Sequence, residues 1–391
     1  MLANLSRELP SSLNSLYAAR SDALARGEQI TDLIAGNVNQ HGIWFPPEKL
    51  SSILLSASAQ ARTYRPDSLG QPVAREAIAR YYESAGIPIP ARQILLTPGT
   101  SFSYFYCFKL LAEKGDEILC PSPSYPLFET IAKLCDVTLT FYRLRESFQW
   151  QIDLDYLESQ ITTKTRAIVL ISPHNPTGMV ASTNQLEDLS RIASRHRLPI
   201  IADEVFSEFL FSSGELPRPA QTQSPLVFTL NGFSKMFALP GWKLGWVAVS
   251  GDSEWVQRSM ATLELISDTF LPVNEMVQFS VAAVFEEGKE FQARYKNWIQ
   301  RCRAIAVETL SSSAAALEIV PPAGGFYLTV RLKGPSADED TIAIDLLQRS
   351  KVLLHPGYFY DIPPSHLVMT FVQEPEVLRA ALERICKQIG L

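Results

Sequence analysis

The chain has 391 residues, 46% of them hydrophobic and 19% charged, the balance of a globular protein with a substantial core and room for two or three domain-sized units. Its net charge of −6 argues against nucleic acid or anionic membrane as a partner, since both select basic surfaces. No apolar run approaches the ~18 residues that span a bilayer, and the five histidines show no metal-binding spacing.

The start, MLANLSRELP, has no basic stretch followed by an apolar core, so no secretory leader is expected. The five cysteines are scattered and form no CxxC pair, which suits a reduced, cytoplasmic setting. Helix and loop are predicted up to the turn-rich "IAGNVNQHGIWFPP", where Pro46-Pro47 marks a boundary. From about residue 90 to 250, seven short apolar runs alternate with helical patterns: 94–99, 117–123, 137–142, 167–172, 199–204, 226–231 and 245–250. Runs of this length bounded by Gly and Pro predict strands buried on both faces of a mainly parallel sheet. Between two of them Leu186, Leu189, Ile192 and Ala193 mark one face of an amphipathic helix.

Past residue 250 the pattern changes to long helical stretches, roughly 252–266 and 275–311. They precede "GGFYLTVRL", another helix and "HLVMTFV". The fold class expected is α/β: a large domain with a mainly parallel seven-stranded sheet between helices, plus a smaller α+β domain. The large unit is assigned residues 48–270, and the small one residues 1–47 and 271–391.

Chemistry-bearing residues fall at the ends of these strands, where open α/β sheets bind ligands. "LTPGTS" leads from a strand into a helix, so Gly99, Thr100 and Ser101 offer N–H groups and hydroxyls to a phosphate, or simply cap the helix. "ISPHNPTG" surrounds Asn175 with turn residues that hold its amide at a strand tip. "IIADEVF" ends an apolar strand on Asp203, a carboxylate costly to bury without a cation, a capped helix or an ion pair to justify it. "GFSKMFALPG" wedges Lys235 into apolar surroundings, where a lysine either reaches for water or is kept for its chemistry. A phosphate seat, an amide, a carboxylate and a lysine on one sheet edge make a pyridoxal phosphate site with Lys235 as the Schiff-base lysine.

The motifs "YRPDSLGQPVAREAIARYY", "LTPGTS", "CPSPSYPLF", "SPHNPTG", "ADEVF", "GFSKMFALPGWKLGW" and "PPAGGFYL" occur in one order over nearly the whole chain. In this it resembles the fold type I aminotransferases of class I/II, the aspartate aminotransferase-like group. The resemblance implies pyridoxal 5'-phosphate as cofactor and transfer of an amino group between an amino donor and a keto acid. It implies that Lys235 binds the cofactor and shuttles the proton, and that Asp203 pairs with the ring nitrogen. Asn175 then donates to the phenolic oxygen and Tyr125 stacks on the ring. The phosphate seat comprises Gly99, Thr100, Ser101, Ser234 and Lys243, with Tyr64 reaching it from the partner subunit of a homodimer. Gly36 lies at the substrate carboxylate.

Four positions depart from the family's pattern. Phe206 stands where a tyrosine usually assists the phenolic oxygen, Gly232 replaces a hydroxyl residue, and Lys243 replaces an arginine. Val368 stands where an arginine usually grips the substrate carboxylate. His41, Trp44, Arg331, His355 and Tyr358 are the polar or aromatic candidates to take over, with Trp44, His355 and Tyr358 assigned to the substrate. The lost arginine leaves a second reading open, a non-transaminating pyridoxal phosphate enzyme such as a lyase, decarboxylase, racemase or oxidase. A third is a ligand-sensing module on the same fold.

Overall fold

The computed structural model describes residues 14–124, 126–212, 214–334 and 338–390. A two-residue strand, β1 (Thr31–Asp32), precedes the main body. The body contains β2 (Ile94–Thr97), β3 (Glu117–Ser122), β4 (Thr138–Arg145), β5 (Gln151–Ile152), β6 (Thr165–Ile171), β7 (Ile200–Asp203), β8 (Leu226–Gly232) and β9 (Gly245–Gly251). These eight form one sheet in the order β2-β9-β8-β7-β6-β3-β4-β5. All seven predicted runs are strands of it, and β5 is the addition, a two-residue edge pairing too short to carry a periodicity signal. Strands β8, β7, β6, β3 and β4 run parallel; β9 is antiparallel to both its neighbours.

Both faces of the sheet are covered, which explains the unbroken apolar runs. Along β6, Ala167, Val169 and Ile171 share a core with Tyr104 and Phe108 of the helix Thr100–Leu111, while Ile168 and Leu170 pack with Leu186 and Leu189 of the helix Thr183–His196. A third core joins the opposite units, uniting Trp246 and Phe233 with Val281, Tyr295, Leu328 and Leu382.

The C-terminal part builds a second, four-stranded antiparallel sheet from β10 (Leu317–Ile319), β11 (Tyr327–Leu332), β13 (His355–Pro356) and β14 (His366–Thr370), in the order β10-β11-β14-β13. The remaining strand, β12 (Val352–Leu353), pairs in parallel with β1, tying the N-terminal segment to this half of the chain. The predicted long helix over 275–311 is two helices, Glu275–Glu287 and Lys289–Ser311. They meet at Gly288, where a Cβ would come within 3 Å of the Phe45 and Phe237 rings. No described helix is long and apolar enough to cross a membrane.

Candidate active site

The strand order brings distant segments to one end of the large sheet. Because β9 is antiparallel to both β2 and β8, the C-terminal ends of β2, β8, β7 and β6 lie on the same edge. Gly99, Asn175, Asp203 and Lys235 all follow or close those strands. A cavity of about 210 Å³ opens there, lined by Thr100, Ser101, Asn175, Asp203, Phe206, Ser234 and Lys235 among others.

Each station is held by local structure. Gly99 has φ 108°, a conformation that favours glycine, and delivers the chain into the helix Thr100–Leu111, whose first N–H groups face this edge. The turn bearing Asn175 is pinned at its base, where Ala323 N–H and Gly324 N–H both donate to the Gly178 carbonyl, at 2.8 and 3.0 Å. The side-chain oxygen of Asn175 is buried and has no partner among the described residues. Only a donor can satisfy that oxygen, while contact with a phenolic oxygen would use the N–H₂ end of the same amide.

Asp203 is 8% exposed. Its Oδ1 accepts from the Val205 N–H at 3.0 Å and its Oδ2 from the Tyr104 hydroxyl at 2.8 Å. Burial pushes its carboxyl up to about 6 despite both donors. Lys235 sits in the short helix Phe233–Met236, and its Nζ donates to the Gly36 carbonyl at 3.0 Å. The rings of Phe206 and Phe326 lie 5.8 and 5.5 Å from the same nitrogen. Desolvation pulls the ammonium down to about 8. The neutral amine is therefore far easier to reach near neutral pH than in an ordinary lysine.

Gly232 has no room for a side chain against the backbone, and at Gly36 one would displace the Tyr327 ring. A Cβ on Gly36 would meet the Tyr327 hydroxyl at 2.6 Å, and one on Gly232 would meet the Leu244 carbonyl at 2.6 Å. The hydroxyl residue expected at 232 is excluded by that packing unless the backbone shifts.

Several predicted residues do not reach the cavity. Lys243 stands exposed at the end of the turn Pro240–Trp242 and does not line it. Tyr64, 71% exposed, borders a different groove with Asp67 and Asn274. Trp44 is 61% exposed and does not line the cavity. His355 is buried between the hydroxyls of Tyr17 and Tyr360, at 2.8 and 3.1 Å, and Tyr358 donates to Asp340 at 3.0 Å. Their polar atoms are engaged with the N-terminal helix, the turn Gly357–Tyr360 and the helix Glu339–Asp345. Arg331 is committed to Glu318 and Glu146, and Val368 is buried in β14. His41 is partly buried, and desolvation holds its ring below the usual histidine range. Tyr125 lies outside the described residues; Leu127 and Phe128, next along the chain, line the cavity.

Besides the apolar lining of Leu127, Phe128, Ile171 and Val205, two hydroxyl-bearing cavity residues escaped the sequence reading. Tyr104 lies one helical turn after Thr100, on the same helix face, yet in "TSFSYFYCF" it reads as one more core aromatic. Tyr327 follows Phe326 at the start of β11, within a motif whose glycines drew the attention.

A lysine, a buried carboxylate, an amide and a helix N-terminus on one sheet edge supply the groups that a pyridoxal phosphate enzyme of fold type I requires. Residues 29–385 match the family described as aminotransferase class I and II. The chain is 30% identical to a tyrosine aminotransferase of Dictyostelium discoideum over 82% of its length and 79% of that protein. It is 29% identical to an alanine aminotransferase of Mycobacterium tuberculosis over 94% and 87%. A solved alanine aminotransferase from Pyrococcus furiosus superposes with a TM-score of 0.91 at 25% identity, covering 100% of this chain and 99% of that one. The chain belongs to the aminotransferase class I and II family, and it is a pyridoxal phosphate-dependent transaminase.

Proposed function

We propose that the cavity at the sheet edge transfers the amino group of an amino acid with an apolar or aromatic side chain to a keto acid, with Lys235 as its acid–base residue. The observation that carries this is the half-buried Lys235 Nζ in one cavity with the buried Asp203 carboxylate and Asn175. When bound, pyridoxal phosphate supplies an electron sink for the charge left on the substrate carbon by proton removal. Lys235 would take and return that proton at Nζ. Asp203 presents a fixed negative charge to the ring nitrogen, and Asn175 an amide to the phenolic oxygen. Thr100, Ser101, Ser234 and the free N–H groups of the helix Thr100–Leu111 seat the phosphate. Lys243 keeps to the exposed rim.

The substrate assignment follows from the rest of the lining. Among the described residues bordering the cavity, Lys235 is the one cation, while Leu127, Phe128, Val205, Phe206 and Tyr327 are apolar or aromatic. Binding energy for the side chain therefore comes from apolar and aromatic contact. The related proteins named for tyrosine and alanine fit the same range.

A homodimer with shared sites is part of this reading. It is supported by the exposed Tyr64 ring, which borders a groove apart from its own chain's cavity. So is the division into a cofactor-binding unit, 48–270, and a smaller unit from 1–47 and 271–391, each with its own sheet. Cytoplasmic placement is supported by five free cysteines, four of them buried. The deciding experiment loads the protein with cofactor and follows its conversion from aldehyde to amine form with a panel of amino acids. Conversion by tyrosine, phenylalanine or alanine supports the reading. Carbon dioxide or ammonia release without amine-form cofactor would replace it with the non-transaminating alternative.

A further inference from the structure

Tyr104 is absent from every role assigned above, yet its hydroxyl makes the one side-chain contact to the Asp203 carboxylate among the described residues. It is 3% exposed and projects from the helix Thr100–Leu111, four residues after the Thr100 that lines the same cavity. Its ring is braced edge-on by Phe128, with centroids 4.8 Å apart at 74°, and by Phe108 at 6.1 Å. The hydroxyl donates to Asp203 Oδ2 at 2.8 Å while the Val205 N–H takes Oδ1 at 3.0 Å. One donor on each oxygen leaves the carboxylate no free rotation.

We propose that Tyr104 is the positioning residue for Asp203: it holds the carboxylate in its ionised form and fixed in orientation, so that the site selects a cofactor ring protonated at nitrogen. This rests on the transaminase reading above. The physical reason is a balance of two effects. Burial favours the neutral acid, which could not pair with a cationic ring. A hydroxyl that bonds the charged oxygen opposes it, and such bonds are roughly twice as strong as neutral ones. Burial also keeps Tyr104 itself protonated, well above the usual tyrosine range, so it is a donor at every working pH. The site thus supplies the second donor to Asp203 from the very helix that receives the phosphate. Both ends of the cofactor are referenced to one rigid turn.

The other titratable groups around Asp203 are few. Lys235 lines the same cavity from the turn after β8, and Glu204 follows in the chain with its charge paired to Arg218. Cys107 and Cys120 lie near Tyr104, with thiols pushed well above their usual range by burial. None of these donates to the Asp203 oxygens.

The test is Tyr104→Phe in the full-length chain, which removes one oxygen and keeps the ring packing. The Asp203 carboxyl is titrated in cofactor-free protein by carbon-13 NMR, with Asp203→Asn identifying its signal. Cofactor affinity is then measured for pyridoxal phosphate and for its 1-deaza analogue, which has carbon in place of the ring nitrogen. Loss of the hydrogen bond should raise the midpoint by one to two pH units. It should weaken pyridoxal phosphate binding about tenfold or more at pH 7.5, with a markedly smaller effect on the deaza analogue. In the Asp203→Asn background, adding Tyr104→Phe should change neither affinity by more than about twofold. An unmoved midpoint, or equal losses for both cofactors, would overturn the proposal and leave Tyr104 a packing residue. Failure of the unaltered protein to bind pyridoxal phosphate would instead overturn the transaminase reading.

Discussion

Replacing Asp203 by Asn should stabilise the cofactor-free protein while weakening its hold on the cofactor. The Asp203 carboxyl titrates at about 6 in the folded chain against 3.8 when unhindered, because burial disfavours its charge. A carboxyl raised in this way contributes stability that is fully present below the unfolded value and lost as pH rises through the folded one. The difference of about 2 units, at 1.36 kcal/mol each, amounts to about 3 kcal/mol of stability lost between pH 4 and 7. Asparagine has no charge to bury and keeps both contacts: its oxygen can accept from Val205, and its amide can donate to the Tyr104 hydroxyl. With an unfolding entropy of about 2.1 cal/mol/K per residue over 391 residues, 3 kcal/mol corresponds to a melting temperature higher by about 3 to 4 °C. Differential scanning calorimetry on cofactor-free protein at pH 7.5 should show that gain, shrinking to under about 1 °C near pH 4 where the wild-type carboxyl is already protonated. With cofactor bound, the order should reverse, since the ring cation then compensates Asp203 and not Asn. Equal melting temperatures at pH 7.5, or a gain that persists at pH 4, would show that Asp203 is not strained by burial.

Three further substitutions probe the surrounding structure. Lys235→Ala should abolish turnover and leave no cofactor adduct that borohydride can fix to the chain; mass spectrometry of the reduced protein decides it. Phe206→Tyr should lower the pH midpoint of the visible absorbance change of the loaded enzyme, because a donor beside the cofactor's phenolic oxygen drains the charge that holds the neighbouring proton. A raised or unchanged midpoint refutes that placement of Phe206. Arg218→Met should cost about 3 to 5 kcal/mol, measured as a drop in denaturation midpoint, because it strands the buried Glu204 carboxylate without its cation.

Legibility in the sequence depended on how local the signal was. The seven strands were readable because both faces of the sheet are covered, which writes continuous apolar runs into the chain. Asn175 and Lys235 stood out because a polar side chain at the end of such a run has to be explained. Tyr104 did not, since an aromatic on a buried helix face looks the same whether its hydroxyl is used or idle. The substrate candidates do not line the cavity of the single chain, for a related reason. His355, Tyr358 and Arg331 occur in suggestive strings, but their polar atoms are spent on Tyr17, Asp340 and Glu318, contacts that only the folded chain brings together.

The strand order has a consequence for how this chain can change. Four residues spread along the chain from Gly99 to Lys235 are set beside one another by a ruler of one strand per ~4.8 Å, and that ruler ignores the lengths of the segments between strands. The connections at the opposite end of the sheet, such as Gln160–Lys164 before β6 or Arg197–Pro199 before β7, can therefore lengthen by several residues without moving Asn175 relative to Asp203. Doubling such a loop costs only about 0.6 kcal/mol in closure entropy. A single residue inserted within β7 would instead turn Asp203 to the other face and out of the cavity. Tolerance to insertion along this chain is thus sharply two-sided, permissive at one rim of the sheet and unforgiving at the other.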